Sequence, residues 1–372
     1  MIKRTGAKGA GPLSGLRIVE ISGLGPTPFA AMCLADFGAE VIRIARPGSG
    51  GAENHVLGLE VDVLDRGRDV VEVDLKSDAG REAVRTLIAC ADGVIEGMRP
   101  GVMERLGLGP DDFPDHPALV YGRMTGWGQE GPLSQTAGHD INYLSLTGAL
   151  HAMGGEAPAI PLNLLGDFGG GGIYLAFGML AALWRARETG QGQVVDCAIT
   201  DGVAHLMAMI TGMAGQGAWT DRRQANLLDG AAPFYTVYEC ACGGHMAVGA
   251  LEPQFYTVLI AGLGFAPEAL PAREARANWP ALRDAFADRF ATRSRDDWTE
   301  VFAGSDACAT PVLSIAEAIA HPQNAERGAY VDLDGLAQPA PAPRLSATPG
   351  QACAQGRRIS AAEALARWSD CV

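Results

Sequence analysis

Residues 16–46 read LRIVEISGLGPTPFAAMCLADFGAEVIRIAR, and their pattern decides the fold. LRIVEIS (16–22) is rich in β-branched residues and stops at glycine, as a strand does. The following stretch opens with two prolines, which a helix tolerates only in its first turn. EVIRIAR (40–46) is a second strand. The alternation continues outward: DVVEVDL (69–75) is a third strand, Ser77 caps a helix through about Ala91, and DGVIEGM and ALVYGRM supply two more strands. Strands alternating with helices predict an α/β fold with a doubly wound, Rossmann-like parallel sheet.

From about residue 199 the pattern changes. TDGVAHLMAMITGMAGQG (200–217) predicts helix, and FYTVYECACGGHMAVGA (234–250) predicts a hairpin turning at Gly243-Gly244. Helical segments follow from Pro253 to about Phe302, and the proline-rich AQPAPAPRLSATPG (337–350) reads as a linker toward a terminal helix. The expected organisation is a large domain over 12–199, linker helices over 200–233 and a smaller α+β domain over 234–330. Residues 331–372 return to the large domain, and MIKRTGAKGAG (1–11) reads as a frayed tail.

The formal charge of −14 over 372 residues argues against nucleic acid or an anionic membrane as partner, since both need a net basic face. An anionic ligand must therefore be held by a local cluster of Arg and Lys. The eight cysteines are scattered among apolar neighbours, and with no secretory signal they read as reduced thiols of a cytoplasmic protein. No apolar run is seen to approach the ~20 residues of a transmembrane helix. Cys240-x-Cys242-x-x-His245 is half of a zinc pattern without its second half, so no metal is expected. Asp167-Phe168-Gly169 matches a kinase tripeptide, but the loops that accompany it in kinases are missing.

Gly23-Leu24-Gly25 follows the first strand, where a glycine turn can seat a pyrophosphate on a helix N-terminus. The third glycine of the dinucleotide fingerprint is absent. At the end of the second strand, where an acid would bind ribose, stands Arg46, which suits an extra phosphate such as that of NADP or coenzyme A. Lys76, Arg99 and Arg105 lie near other expected strand ends; each taken singly also reads as a solvated surface charge.

His139 and Asp140 open a segment with an apolar stripe at Ile141, Leu144, Leu146 and Leu150, which predicts a helix starting near His139. A histidine at a helix N-terminus has its cationic form disfavoured by the dipole, which keeps a base available near neutral pH. Backbone N–H groups there can also stabilise an oxyanion. A plain capping pair is the competing reading. GDFGGGG (166–172) sets one acid before four glycines, with a helix expected from Ile173. Helix capping by Asp167 and close packing of two elements are the simplest explanations. HLMAMITGM (205–213) reads as helix core, with an acyl-lining surface as the alternative.

Taken together, these stretches make the chain resemble the family III coenzyme A transferases, and within that superfamily the α-methylacyl-CoA racemases. The resemblance runs through GPLSGLRIVEISGLGPTPFAAMCLADFGAEVIRIARPGS, VDLKSDAGREAV, IEGMRPGVMERLGLGP, RMTGWGQEGPLSQTAGHDINYLSLTGAL, PLNLLGDFGGGG, GQVVDCAITDG and VGALEPQFY, from residue 11 to about 345. It implies an interlocked homodimer acting on an acyl-CoA, with no cofactor beyond the CoA moiety of the substrate. It also implies that His139 and Asp167 are the catalytic bases and that Glu252 approaches the histidine from the other subunit. The coenzyme A contacts it implies are Arg46, Val73, Asp74, Leu75, Lys76, Gly97, Met98, Arg99, Arg105 and the run Gly138, Asp140, Ile141, Asn142 and Tyr143.

Inverting a carbon beside a thioester means removing its α-proton and returning one to the opposite face, which requires two flanking groups that share one proton. On this reading His139 and Asp167 flank that carbon, and the glycines let pantetheine approach the backbone. A helix N-terminus would hold the Asp167 pKa low, whereas its acid form must be populated; burial beside Phe168 or coupling to His139 would offset this. The alternative in the same superfamily is a CoA-transferase in which Asp167 is the nucleophile.

Overall fold

The computed structural model describes residues 11–48, 59 and 61–368. The expected tail up to Ala10 and Cys371 lie outside them. The chain divides into two compact units. The first runs to Thr147, resumes over Pro161–Met207 and takes the chain from Gln323 onward; the second is Gly148–Ile160 with Ala208–Pro322.

The first unit alternates as the sequence predicts: β1 (Arg17–Ile21), α1 (Pro26–Asp36), β2 (Glu40–Ala45), β3 (Asp69–Glu72), α2 (Asp78–Ala89) and β4 (Gly93–Glu96). Then come α3 (Val102–Arg105), β5 (Val120–Thr125) and α4 (Asp140–Leu146), with α5 (Ala149–Ala152) belonging to the second unit. A π-helix over Leu164–Ile173 runs directly into α6 (Tyr174–Thr189), followed by β6 (Val194–Ala198) and α7 (Ile199–Leu206). The six strands form one sheet in the order β3-β2-β1-β4-β5-β6. Every ladder is parallel, with Ile18 opposite Val41 on one side and Gly93 on the other. Both faces of such a sheet are covered, so β1 and β4 are buried along their whole length. On one face Val19, Ile42, Ile44 and Val71 pack against Leu87 and Ile88 of α2.

Charges also lie inside this unit. Arg68 is fully buried and donates from Nη1 to Glu20 Oε2 at 2.6 Å, while Arg43 pairs with Asp65 and Arg66 with Asp36. Removing one partner of such a pair strands a buried charge, so the pairs fix residues 65–68, just before β3, in place on β1, β2 and α1.

The second unit holds α8 (Ala208–Gly215), a hairpin of β7 (Tyr235–Glu239) and β8 (His245–Gly249), α9 (Pro253–Gly262), α10 (Trp279–Phe290), α11 (Arg295–Phe302), β9 (Ala309–Pro311) and α12 (Ile315–Ala320). The hairpin is antiparallel and turns at Gly243, whose φ of 78° needs glycine. β9 adds a third strand beside β8, three residues the sequence did not mark. Tyr238, Phe286, Phe290, Trp298 and Phe302 form an aromatic core. Arg223 donates to the carbonyls of His151, Gly155 and Glu156, which ties Gly148–Ile160 into this unit and interrupts the span 12–199. A short helix, α13 (Pro322–Glu326), leads to the hairpin β10 (Tyr330–Leu333) and β11 (Leu336–Pro339), and α14 (Ala361–Arg367) packs on α2. The proline-rich stretch thus begins as strand.

Three expectations are corrected. The Met-rich segment is not a helix core: it breaks at Met207 between α7 and α8, and α8 buries none of its residues. The stripe on α4 buries Leu144 but leaves Ile141 and Leu146 exposed. The continuous helix Leu164–Thr189 spans 26 residues and by length and mean hydropathy is long and apolar enough to cross a membrane, which the sequence reading did not expect, although Asp167, Arg185, Arg187 and Glu188 interrupt it. Its glycine end packs inside the unit, against α1 and α7.

Candidate active site

In this strand order the connections leave β1 and β4 in opposite directions, and the crevice beyond their C-terminal ends is where such sheets take ligands. A cavity of about 700 Å³ lies there. Its walls come from Ser22 to Thr27 after β1, Arg46 to Gly48 after β2, Gly97 and Met98 after β4, and Met124 to Gly126 at the end of β5. Gly25 has φ +67° and precedes Pro26, so the turn into α1 requires both its glycine and its proline. Gly97 is needed for proximity, because a Cβ there would stand 2.6 Å from Thr27 Oγ1.

His139, Tyr143 and Asp167 complete the wall. His139 is the residue before α4; its N–H is accepted by Asn142 Oδ1 at 3.0 Å, and its carbonyl accepts the N–H of Asn142 at 2.8 Å. The Tyr143 hydroxyl donates to the Gly138 carbonyl, and its ring meets Trp127 edge-on at 4.8 Å. The loop carrying His139 is therefore held from both sides.

Asp167 sits within the π-helix, not before a helix at Ile173 as the sequence suggested. Of the glycines after it, Gly170, Gly171 and Gly172 are buried and not open to a ligand. A Cβ on Gly170 would lie 2.6 Å from Val203 Cγ2, on Gly171 2.9 Å from Pro26 Cβ, and on Gly172 2.7 Å from Phe29 Cδ1. Close packing of the π-helix against α7 and α1 is what the run is for, and the proposed approach of pantetheine to these glycines is corrected. The missing Cβ that faces the acid is at Gly25, where it would lie 3.1 Å from Asp167 Oδ2.

The Asp167 pKa is pushed up to about 6, first by burial and then by the neighbouring Asp140 carboxylate, against the pull of His139 and a hydrogen bond from Asn163. The expected depression by a helix N-terminus is outweighed. Burial, together with the charge of Asp167, also raises the Tyr143 phenol.

Of the residues expected to hold coenzyme A, Arg46, Gly97, Met98, Gly138 and Tyr143 line the cavity; Val73, Asp74, Leu75, Lys76, Arg99, Arg105, Asp140, Ile141 and Asn142 do not. Val73 is committed to the core. Asp74 accepts the N–H of Lys76 at 2.9 Å and the hydroxyl of Ser77 at 2.8 Å, which shapes the turn into α2 and leaves Lys76 exposed. Asp140 turns toward the π-helix and accepts the Asp167 N–H at 2.7 Å. Glu252 lies in the second unit, in front of α9, and its carbonyl accepts the N–H of Tyr256 at 3.0 Å. The half zinc pattern is engaged otherwise: Cys242 Sγ accepts the N–H of Arg295 at 3.3 Å.

Sequence reasoning missed Ser22, Thr27, Met124 and Ile199 as cavity walls. Ser22 accepts from buried Arg43 at 3.2 Å. Its place at the end of β1 was a usable signal, because residues there face the crevice in any doubly wound sheet.

Residues 13–357 match CoA-transferase family III. The chain is 47% identical to the α-methylacyl-CoA racemase of Mus musculus and 45% identical to that of Homo sapiens, over 91% of this chain and 87% of each relative. It is 30% identical to the succinyl-CoA–D-citramalate CoA-transferase of Chloroflexus aurantiacus, over 91% of this chain and 89% of that one. The fold matches a crystal structure of a CaiB/BaiF family protein from Brucella suis with a TM-score of 0.81 and 25% identity, covering 97% of this chain and all of that one. With these residues around one crevice and this extent of likeness, the chain belongs to CoA-transferase family III.

Proposed function

We propose that the chain is an isomerase that interconverts (R)- and (S)-2-methylacyl-CoA thioesters by 1,1-proton transfer through an enolate. The observation that carries this reading is that His139 and Asp167 wall the same cavity, with the Asp167 pKa lifted to about 6. A carboxyl group in that range exchanges a proton readily near neutral pH, as a base that must also serve as an acid requires. In one direction Asp167 removes the α-proton and His139 delivers one to the opposite face; in the other direction the roles reverse. The N–H groups in the first turn of α4 supply fixed dipoles for the enolate oxygen. Arg46, at the mouth of the cavity, meets a phosphate of the CoA moiety. Proton transfer of this kind calls for no cofactor beyond the CoA of the substrate.

The same reading assigns the exposed apolar stripe of the long helix to a second copy. Ile173, Phe177, Leu180 and Trp184 recur at helical spacing and are all exposed, Phe177 and Trp184 at 69% each. Such a stripe is large for a free surface and fits a homodimer interface. In that dimer Glu252 approaches His139 from the other copy. We place the enzyme in the cytoplasm, where cysteine thiols stay reduced.

The test is incubation of an (R)-2-methylacyl-CoA with the enzyme in deuterated water. Deuterium should enter the α-position as the stereocentre scrambles. Thioester turnover with the stereocentre and its α-proton both retained would overturn the proposal and favour the transferase chemistry in which Asp167 is a nucleophile.

A further inference from the structure

A π-helix bonds each N–H five residues back, so its first residues are left without acceptors inside the helix. Here the first such bond runs from Phe168 N–H to the Asn163 carbonyl, at 3.2 Å. The N–H groups of Gly166 and Asp167 come before it. The Asp140 carboxylate accepts the Asp167 N–H at 2.7 Å and stands against Gly166, whose N–H also favours its ionised form. Gly166 is buried and has no room for a side chain, because a Cβ there would meet Asp140 Oδ2. Asp140 is itself the first residue of α4, next to His139. The backbone of one proposed base and the backbone of the other are thus joined through a single side chain. Among the described residues the second oxygen, Oδ1, is buried and has no hydrogen-bond partner, so the hydrogen bond shown for the carboxylate goes to the π-helix.

We propose that Asp140 is a positioning residue for the proton-transfer pair: its carboxylate caps the π-helix under Asp167, fixes the distance between Asp167 and His139, and sets a second negative charge behind Asp167. This rests on the racemase reading above and reassigns Asp140 from coenzyme A binding to the geometry of the bases. The charge has the sign the reaction needs. It opposes ionisation of Asp167 and works with burial to hold that group near the range where it can give as well as take a proton.

The other groups around Asp167 do not supply this. From α4, His139 favours the ionised form, and the neutral Tyr143 phenol is itself raised by Asp167. Asn163 donates a hydrogen bond to it, and α1 presents the Gly25 backbone. On α7, His205 is bonded to Tyr174 at 2.8 Å and the Asp201 charge acts on Cys197. Asp36, at the far end of α1, is paired with Arg66.

Two variants separate cap from charge. Asp140→Asn keeps an oxygen acceptor and loses the charge, whereas Asp140→Ala loses both. Racemisation in both directions needs one proton on the His139–Asp167 pair, so both share one acid limb in the pH–rate profile. In Asp140→Asn that limb should move to lower pH by on the order of half a unit, with the plateau rate within a few-fold of wild type. In Asp140→Ala the plateau should fall by roughly 10-fold or more at every pH, since small displacements of a reacting group are this costly. A purely structural role would lower rates and leave the limb in place.

The ¹³C carboxyl signal of Asp167, assigned by its loss in Asp167→Asn, gives the same titration without turnover. A midpoint that moves down in Asp140→Asn supports the inference; an unmoved midpoint, or wild-type rates in Asp140→Ala, overturns it. Failure of the racemase reading would show separately, as no α-deuterium uptake by the wild-type enzyme.

Discussion

The ring of Phe29 on α1 lies stacked on that of Phe168 in the π-helix, with centroids 4.4 Å apart and planes 16° from parallel. Phe168 follows Asp167 directly, and Phe29 bonds back to Gly25, the residue facing the acid. The pair thus stands beside the carboxyl group whose pKa burial raises, and Phe29→Ala should expose that group to water. The acid limb of the pH–rate profile should then fall below the value of about 6 set by Asp167, toward that of an ordinary carboxylate. Both rings are half-buried, so the loss of stability, read from a denaturant titration, should be about 2 kcal/mol, below that of a fully buried Phe. An acid limb unmoved in Phe29→Ala would mean that the desolvation comes from elsewhere.

Stability should carry the opposite sign to function at Asp167. The folded-state pKa is raised, so folding favours the protonated acid, and that advantage is complete below the ordinary carboxylate range. It is lost as pH rises through about 6, where the native state must hold a buried charge. Asp167→Asn should therefore melt at a higher temperature than wild type at pH 8. The difference should shrink on acidification and vanish below about pH 4, where both proteins are neutral at this position. Thermal melts at three pH values check the trend. Asp167→Asn melting lower than wild type at pH 8 would contradict it.

The glycines give a sharper structural test. Gly170→Ala must displace Val203, whose side chain and backbone nitrogen would lie 2.6 and 2.9 Å from the new Cβ. Overpacking of this kind costs about 1–3 kcal/mol, and here the strain falls on the seam that holds Asp167. Gly212→Ala on α8 meets nothing within 4 Å and should be neutral or stabilising by up to ~1 kcal/mol. Chemical denaturation of the two variants side by side reads the contrast.

The same glycines mark where the sequence stops being legible. β1, α1 and β2 could be read because β-branched runs and a proline at a helix start are local signals, and the parallel, doubly wound class of the sheet followed from them. GDFGGGG has no side-chain periodicity to read. The reason for its glycines lies at Val203, Pro26 and Phe29, distant in sequence, and a π-helix has no local signature of its own. His139 and Asp167 could be proposed as bases because the stretches that carry them resemble those of the racemases, and their residue types fit that chemistry. Asp140 could not be placed, because what it does depends on the backbone of Gly166 and Asp167, and the family resemblance had put it in the ligand set with the run Gly138 to Tyr143. β9 was missed for a plainer reason: three residues carry no alternation.

His139 decides between the two chemistries of the superfamily. If Asp167 were an acyl-transfer nucleophile, the imidazole would have no step to perform, and His139→Ala would keep its rate. For proton transfer to both faces of one carbon, its loss should lower kcat by about 10²–10⁴ with CoA binding retained, since the proposed phosphate contact, Arg46, is left intact. Racemisation followed by circular dichroism and CoA binding followed by calorimetry give the two quantities independently.

Subunit complementation tests whether Glu252 acts across the proposed dimer. In His139→Ala the damaged group lies in the first unit, and in Glu252→Gln it lies in the second. If each site takes its histidine from one copy and its glutamate from the other, a mixed dimer of the two variants holds one site with both changes and one with neither. Dissociating and re-pairing equal amounts of two nearly inactive proteins should then restore activity at about a quarter of the sites. If Glu252 served its own chain, every site would keep one defect and mixing would restore nothing. Adding Phe177→Glu and Trp184→Glu to both variants should abolish the recovery, because charges on the exposed stripe of α6 block pairing, and light scattering should then report a single chain. Recovery that survived those charges would move the interface away from α6.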